Sequence, residues 1–214
     1  MRKIAILLVS VILISSLLLS CNKDKDKGKD EQQNTTPTVQ EMDLTAVDIS
    51  RYVTLGEYRG MTVTLASADA KKSDAVWQKV VENSTVKEYP EQQVEYYMAQ
   101  TKARYEYIAK SRNDTYENVI ALLGVTEANM LEEARALVRD DLVFYAVLKA
   151  ENITLGDDEK KNNFDKYVKK FVDDYGYGEA YVREKMAEQI YDAMLFDKAT
   201  EKLILINEFV IQGE

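Results

Sequence analysis

The 214-residue sequence has no histidine, one cysteine, two prolines, eight glycines and one tryptophan. Without histidine the chain lacks the commonest general base, the commonest transition-metal ligand and the side chain that switches charge near neutral pH. A Ser/His/Asp triad is therefore impossible. Neither a Gly-rich phosphate loop nor a zinc-ligand spacing occurs. A single cysteine forms no disulfide within the chain, so stability has to come from packing. Few prolines and glycines suit long helices. Basic charge is also scarce, 28 Lys and Arg against 37 Asp and Glu, a formal net charge of −9. So acidic a surface repels phosphate backbones and anionic lipid headgroups, which argues against a nucleic-acid partner. No catalytic residue, metal or cofactor is expected.

The one cysteine stands in a telling place. Arg2 and Lys3 precede a run, Ile4 to Leu19, that is apolar apart from serines, and Leu18-Leu19-Ser20-Cys21 follows. A short basic start, an apolar stretch and a small residue before Cys form the pattern of a bacterial lipoprotein signal. That pattern implies cleavage of residues 1–20 and lipid attachment to Cys21. The protein would then sit on the extracytoplasmic face of a membrane, at the cell surface or in the periplasm. The alternative is an uncleaved anchor, for which the apolar run is slightly short. Without Arg2 and Lys3 the balance is 26 basic to 37 acidic residues, a net charge near −11. The membrane link would then be acyl chains rather than a basic patch.

Residues 21–46 are almost wholly polar up to Asp43 and read as a lipidated cysteine followed by a disordered tether. Asp24, Asp26 and Asp30 faintly echo a calcium loop, but lysines alternate with them and the ligand order fails. Residues 47–89 differ. Val47–Val53 and Met61–Ala66 carry β-branched and apolar alternation around Leu55-Gly56-Glu57-Tyr58-Arg59-Gly60, which predicts two short extended segments in a hairpin-like arrangement. Ser73 then caps a helix to about Val86, with Val76, Trp77, Val80 and Val81 on one side.

From Pro90 the pattern is helical to the end of the sequence. Val94, Tyr97, Met98, Thr101, Tyr105 and Ile108 recur at three- and four-residue spacing. Asp114 caps a short helix ended by Gly124, and Thr126 caps the next, whose stripe is Leu131, Ala134, Val138, Leu142, Tyr145 and Leu148. After a break at 152–156, Asp157 starts a helix that stops at Tyr175-Gly176-Tyr177-Gly178. A final long helix carries Val182, Met186, Ile190, Phe196, Leu203 and Ile206. The fold class is mainly α, long helices on short loops with a small extended segment in front.

Two stretches carry a family resemblance. Tyr52-Val53-Thr54-Leu55-Gly56-Glu57-Tyr58-Arg59-Gly60-Met61-Thr62-Val63 resembles the segment that enters the prolyl-isomerase domain in trigger factor and its lipoprotein relatives. Residues 90–214 resemble the trigger factor C-terminal, SurA-like helical chaperone domain. The carrying features are Pro90-Glu91-Gln92-Gln93-Val94, Leu123-Gly124-Val125-Thr126-Glu127, Ile153-Thr154-Leu155-Gly156-Asp157-Asp158-Glu159 and the break at Tyr175-Gly176. The resemblance implies a chaperone that cradles unfolded or nascent exported polypeptides. A signal and tether stand where the family's ribosome-docking domain would be, so no ribosome partner is expected. Only Asn83 to Tyr89 separate the candidate helix from Pro90, too few for an isomerase domain. Isomerase activity is therefore expected to be absent, whatever a family label implies.

Fourteen tyrosines against five phenylalanines make the aromatic content unusual. Tyrosine joins a large apolar ring to a polar tip, and methionine adapts to irregular partners, so both suit a surface for varied peptides. Tyr97, Met98, Tyr105 and Tyr145 are the candidate client contacts, against the simpler reading that such residues line the helical core. The acid pairs Asp140-Asp141, Asp157-Asp158 and Asp173-Asp174 point about 100° apart on a helix, so neither member of a pair supports the other at one ligand. They read as solvated or capping residues. Three functions remain: a lipid-anchored holdase-like chaperone, a scaffold lipoprotein for one fixed partner, or a residual prolyl isomerase.

Overall fold

The computed structural model describes residues 39–213. The expected signal, Cys21 and the expected tether up to residue 38 lie outside the described residues. Among those described, seven helices and four short strands succeed one another. Ile49–Arg51 forms a single 3-10 turn, followed by β1 (Val53–Thr54), β2 (Thr62–Leu65), α1 (Lys72–Asn83) and β3 (Thr85–Val86). The helical part comprises α2 (Glu91–Ser111), α3 (Tyr116–Leu123), α4 (Glu127–Glu151), α5 (Asp157–Tyr175), α6 (Glu179–Lys185) and α7 (Ala187–Leu205), and β4 (Glu208–Ile211) follows. The mainly-α class holds. No helix among the described residues is long and apolar enough to cross a membrane.

The two extended segments form, but they do not pair with each other as the hairpin-like expectation had it. β1 pairs antiparallel with β3, Val53 opposite Val86. β2 pairs in parallel with β4, Thr62 opposite Glu208 and Leu65 opposite Ile211. The turn between β1 and β2 is held from elsewhere instead. Asn207 Nδ2 donates to the Tyr58 carbonyl at 3.0 Å and its Oδ1 accepts from Met61 N–H at 2.7 Å. Asn83 Nδ2 donates to the Glu57 carbonyl at 2.7 Å, and the Arg59 guanidinium rests on the Glu151 carboxylate at the end of α4. Gly60 takes φ +67°, a left-handed conformation that favours glycine.

Helix ends follow local chemistry. Thr126 accepts from Asn129 N–H while Asn129 reaches back, closing a reciprocal cap on α4. Asn152, at φ 53°, ends it. The cap of α3 is Thr115, with Asp114 one residue before it bonded to Asn118 Nδ2 at 2.7 Å. At α5 the cap position is Gly156, and Asp157, Asp158 and Glu159 fill the first turn, where acids suit the helix dipole. Besides the α3 cap, which falls on Thr115 rather than Asp114, two helices differ from the sequence expectation. α1 starts at Lys72, placing Ser73 inside it, and ends at Asn83 because Ser84 is extended and its hydroxyl bonds back to the Val80 carbonyl. The expected last helix is two, α6 and α7, separated at Met186 with φ −122° and ψ 21°.

Buried side chains fall into two groups. The body gathers Leu44, Ile49, Val53, Met61, Val63, Val76, Trp77 and Val80 around α4 residues from Ala134 to Leu148, with Ala199 and Leu203 of α7. Trp77 meets Phe196 and Phe144 edge-on at centroid distances of 5.1 and 6.2 Å. A second, smaller core lies within α5, α6 and the first half of α7, built on Tyr167, Val168, Phe171, Val182, Ile190 and Met194. The far end of the α2–α4 hairpin buries only Ala109, Val119 and Met130. The result is a body with one helical lobe running out along α2 and α4 and another along α5 and α7.

Candidate functional site

α4 is the helix around which the polar site is built. From Leu137 to Leu148 it buries Leu137, Val138, Leu142, Val143, Ala146, Val147 and Leu148, residues on all its sides. A helix surrounded on every side carries its polar residues inward with it. Asp140 and Asp141 do diverge, as adjacent helical residues must, but they are not solvated. Asp141 turns toward α2 and accepts from Tyr97 OH at 2.7 Å and from Gln93 Nε2 at 3.0 Å. Burial pushes its carboxyl up to about 7, against the pull of those two donors and helped by repulsion from Glu41 and Asp140. Asp140 faces the other way, and burial likewise pushes it to about 7, with Arg139 opposing. This corrects the solvated or capping reading for that pair.

The segment that enters the fold lies against the same place. Gln40 gives its carbonyl to Gln92 Nε2 at 3.2 Å, and Met42 N–H donates to Gln93 Oε1 at 2.9 Å. Glu41 is exposed as a whole residue, yet its carboxyl turns to Gln93 and Tyr96, and desolvation there raises its pKa. Tyr96 in turn is pushed to about 12, first by burial and then by Glu41. Asp192 of α7 rises to about 6 through burial, with Glu41 and Glu188 adding repulsion. Gln93, Tyr96, Tyr97, Asp141 and Asp192 thus meet the entering chain in one half-buried acid–tyrosine cluster. Burial thus holds the carboxyl groups of this cluster above the ordinary carboxylate range and its phenols above theirs. Among the described residues no group of three or more acids, Cys or His is placed to hold a metal ion.

Two surfaces offer apolar contact. Leu122 and Leu123, at the end of α3, are 73% and 51% exposed. They cap the lobe tip, where the sequence Ile120-Ala121-Leu122-Leu123 is apolar without a buried face to match. On the body, a cavity of about 410 Å³ opens between α1 and α4, lined by Trp77, Val81, Ala136, Tyr89, Arg135 and Arg139 among others. Arg135 lies over the Tyr89 ring at 5.7 Å. Arg139 Nη2 caps the end of α1 through the Val81 carbonyl at 2.6 Å, while its buried Nε finds no acceptor among the described residues.

The tyrosines and methionine selected from sequence scatter over these regions. Tyr97 is 5% exposed and its hydroxyl is committed to Asp141, so it belongs to the core. Met98 and Tyr145 are half-buried against the body core, and Tyr145 stacks edge-on with Phe144 at 5.3 Å. Tyr105 is half-buried farther out, its ring 5.0 Å from the Arg104 guanidinium, which also pairs with Glu133 at 3.1 Å. Periodicity did not single out Gln93, Asp141, Asp192 or the Leu122–Leu123 tip. The uninterrupted apolar run Leu142-Val143-Phe144-Tyr145-Ala146-Val147-Leu148 was the available signal for all-round burial.

The chain is similar to the trigger factor of Lachnoclostridium phytofermentans (strain ATCC 700394 / DSM 18823 / ISDg), 28% identical over 169 residues, covering 74% of this chain and 38% of that protein. The chain thus spans less than half the length of the curated relative it matches. No family model matches the sequence, and no solved structure matches it.

Proposed function

We infer that the protein is an exported, lipid-anchored, chaperone-like binder of unfolded or partly folded secreted polypeptides, acting by contact rather than catalysis. The observation that carries this reading is the similarity to trigger factor across 74% of the chain. The two-lobed helical architecture supports it, as does exposed apolar surface at Leu122, Leu123 and the Trp77–Tyr89 cavity. Contacts of this kind are individually weak and sequence-tolerant, which is what holding many segments requires. Met98, Tyr105 and Tyr145, each half-buried, offer further apolar contact elsewhere, and the acidic remainder keeps the molecule soluble.

The anchor is Cys21, the residue that ends the lipoprotein-signal pattern of residues 1–21. Where the family resemblance would place an isomerase domain, the chain runs through α1 and β3. The proposed function therefore includes no isomerase.

The deciding experiment is suppression of aggregation of a chemically unfolded client, with the protein added at rising molar ratio. Suppression that scales with concentration supports the reading. Absence of any effect at several-fold molar excess overturns it, and a single stoichiometric partner in a pulldown would assign the scaffold role instead. Accelerated proline-limited refolding would restore the isomerase.

A further inference from the structure

The entering segment 40–44 is attached in an unusual way. Its main chain is held by two side-chain amides of α2, Gln92 on the Gln40 carbonyl and Gln93 on the Met42 N–H. Leu44 and Met42 then seat it on the body core. Gln93 is completely buried, and its amide is bifunctional: the oxygen holds Met42, and the nitrogen donates to Asp141 Oδ2. The same nitrogen lies 3.5 Å from Glu41 Oε1, so a carboxyl of the strap and a buried carboxyl converge on one amide. One amide therefore joins the surface segment to a buried carboxyl.

We propose that residues 40–44 form a proton-controlled strap, closed over α2 when the carboxyl groups around Gln93 are protonated and loosened when they ionise. The groups facing the strap are acidic or phenolic. Glu41 and Asp43 belong to the strap itself. α2 presents Tyr96 and Tyr97, α4 presents Asp141 and Tyr145, and α7 presents Glu188 and Asp192. Glu41, carried by the strap, repels both Asp141 and Asp192 when charged. Ionisation therefore pushes the strap off without unfolding the helices beneath. The raised pKa values of Asp141 and Asp192, about 7 and about 6, put the transition between weakly acidic and neutral pH. Loosening uncovers the surface that carries Tyr96 and Tyr145.

Hydrogen exchange at the Met42 amide, corrected for intrinsic rate and read as a protection factor at pH 5.5 and pH 8, tests this without any client. Success or failure is therefore separate from that of the chaperone reading. Expected is at least a tenfold loss of protection at Met42 on going to pH 8, with Val138 and Val147 of α4 still protected. Asp141→Asn should keep Met42 protected at both pH values. Glu41→Gln, on an exposed residue that tolerates change, should at least halve the logarithmic loss and covers the case in which the Asp141 variant does not fold. Equal protection at both pH values overturns the proposal. So does parallel loss at Val138 and Val147, which would mean global rather than local opening.

Discussion

A β-carbon on Gly56 would stand 2.1 Å from the carbonyl oxygen of Asn83. The backbone of the β1–β2 turn therefore touches the end of α1 with no room for a side chain, and Asn83 answers by bonding the next carbonyl, that of Glu57. Gly56→Ala has to move backbone against backbone. The expected loss is about 1–3 kcal/mol of stability, the usual range for overpacking. Gly156→Ala, with nothing within 4 Å of the added carbon, should cost no more than about 1 kcal/mol as a lost cap preference. Urea unfolding of both variants makes the comparison, and equal midpoints would refute the close-contact argument.

Stability should rise as pH falls toward weak acidity. Asp140 and Asp141 titrate at about 7 and Asp192 at about 6 in the folded chain, against an ordinary 3.8. Between those values the folded chain keeps protons that the unfolded chain has released. Their contribution is complete below the ordinary value and is lost as pH rises through 6 to 7. Each such proton gives a slope of about 1.4 kcal/mol per pH unit over that window. The urea midpoint should therefore be higher at pH 5.5 than at pH 8, with Asp141→Asn flattening the difference. A midpoint that climbs steadily toward pH 8 would contradict this.

The two cores should respond separately. Leu142 and Ile190 are both fully buried, the first in the body and the second in the α5–α7 lobe. Leu142→Ala should cost about 2–5 kcal/mol and lower the whole unfolding transition. Ile190→Ala should instead speed amide exchange in α5 and α6 while α4 stays protected. If exchange in α4 accelerates equally, the lobes are one cooperative unit.

Client holding, if it uses the lobe tip, should be lost without loss of fold. Leu122 and Leu123 bury little, so replacing both with Ser should shift stability by less than about 0.5 kcal/mol. Aggregation suppression should fall several-fold at equal concentration. Unchanged suppression would move the contact surface elsewhere, with the Trp77–Tyr89 cavity next in line.

Anchoring is tested by Cys21→Ser, which should shift the protein from the membrane fraction to the soluble fraction. Retention in membranes would favour the uncleaved anchor.

Most helix ends were legible from sequence to within a residue or two where a cap chemistry marked them. Gly124, Thr126, Asn152 and Gly176 each stand at an observed boundary, whereas the cap read at Asp114 falls one residue later on Thr115 and the one read at Ser73 lies inside α1. The Met186 break was not legible, because no proline or glycine marks it and the apolar stripe runs straight through. Strand pairing was hidden for a different reason. β2 finds its partner 146 residues away, and alternation in a four-residue strand says which face is buried without saying what lies beside it. The acid–tyrosine cluster escaped because Asp141 looks like any surface acid until Gln93, Tyr97 and the entering segment are seen around it. Burial on every side of α4 is a tertiary property, and a one-stripe reading of that helix leaves Asp141 outside.

The parallel pairing of β2 with β4 has a consequence for how the molecule is made. While the chain is being synthesised, β2 appears early and waits for Glu208–Ile211 with its edge unsatisfied. The Asn207 clamp on the Tyr58–Met61 turn waits with it. The helical lobes rest on contacts that are short in sequence and can form at once, but the body cannot close until its last strand arrives. Contacts so distant along the chain are slow to form. The order of assembly is then lobes first and body last, and during that interval the nascent protein exposes the same kind of unfinished edge that a holdase would be asked to shield in others.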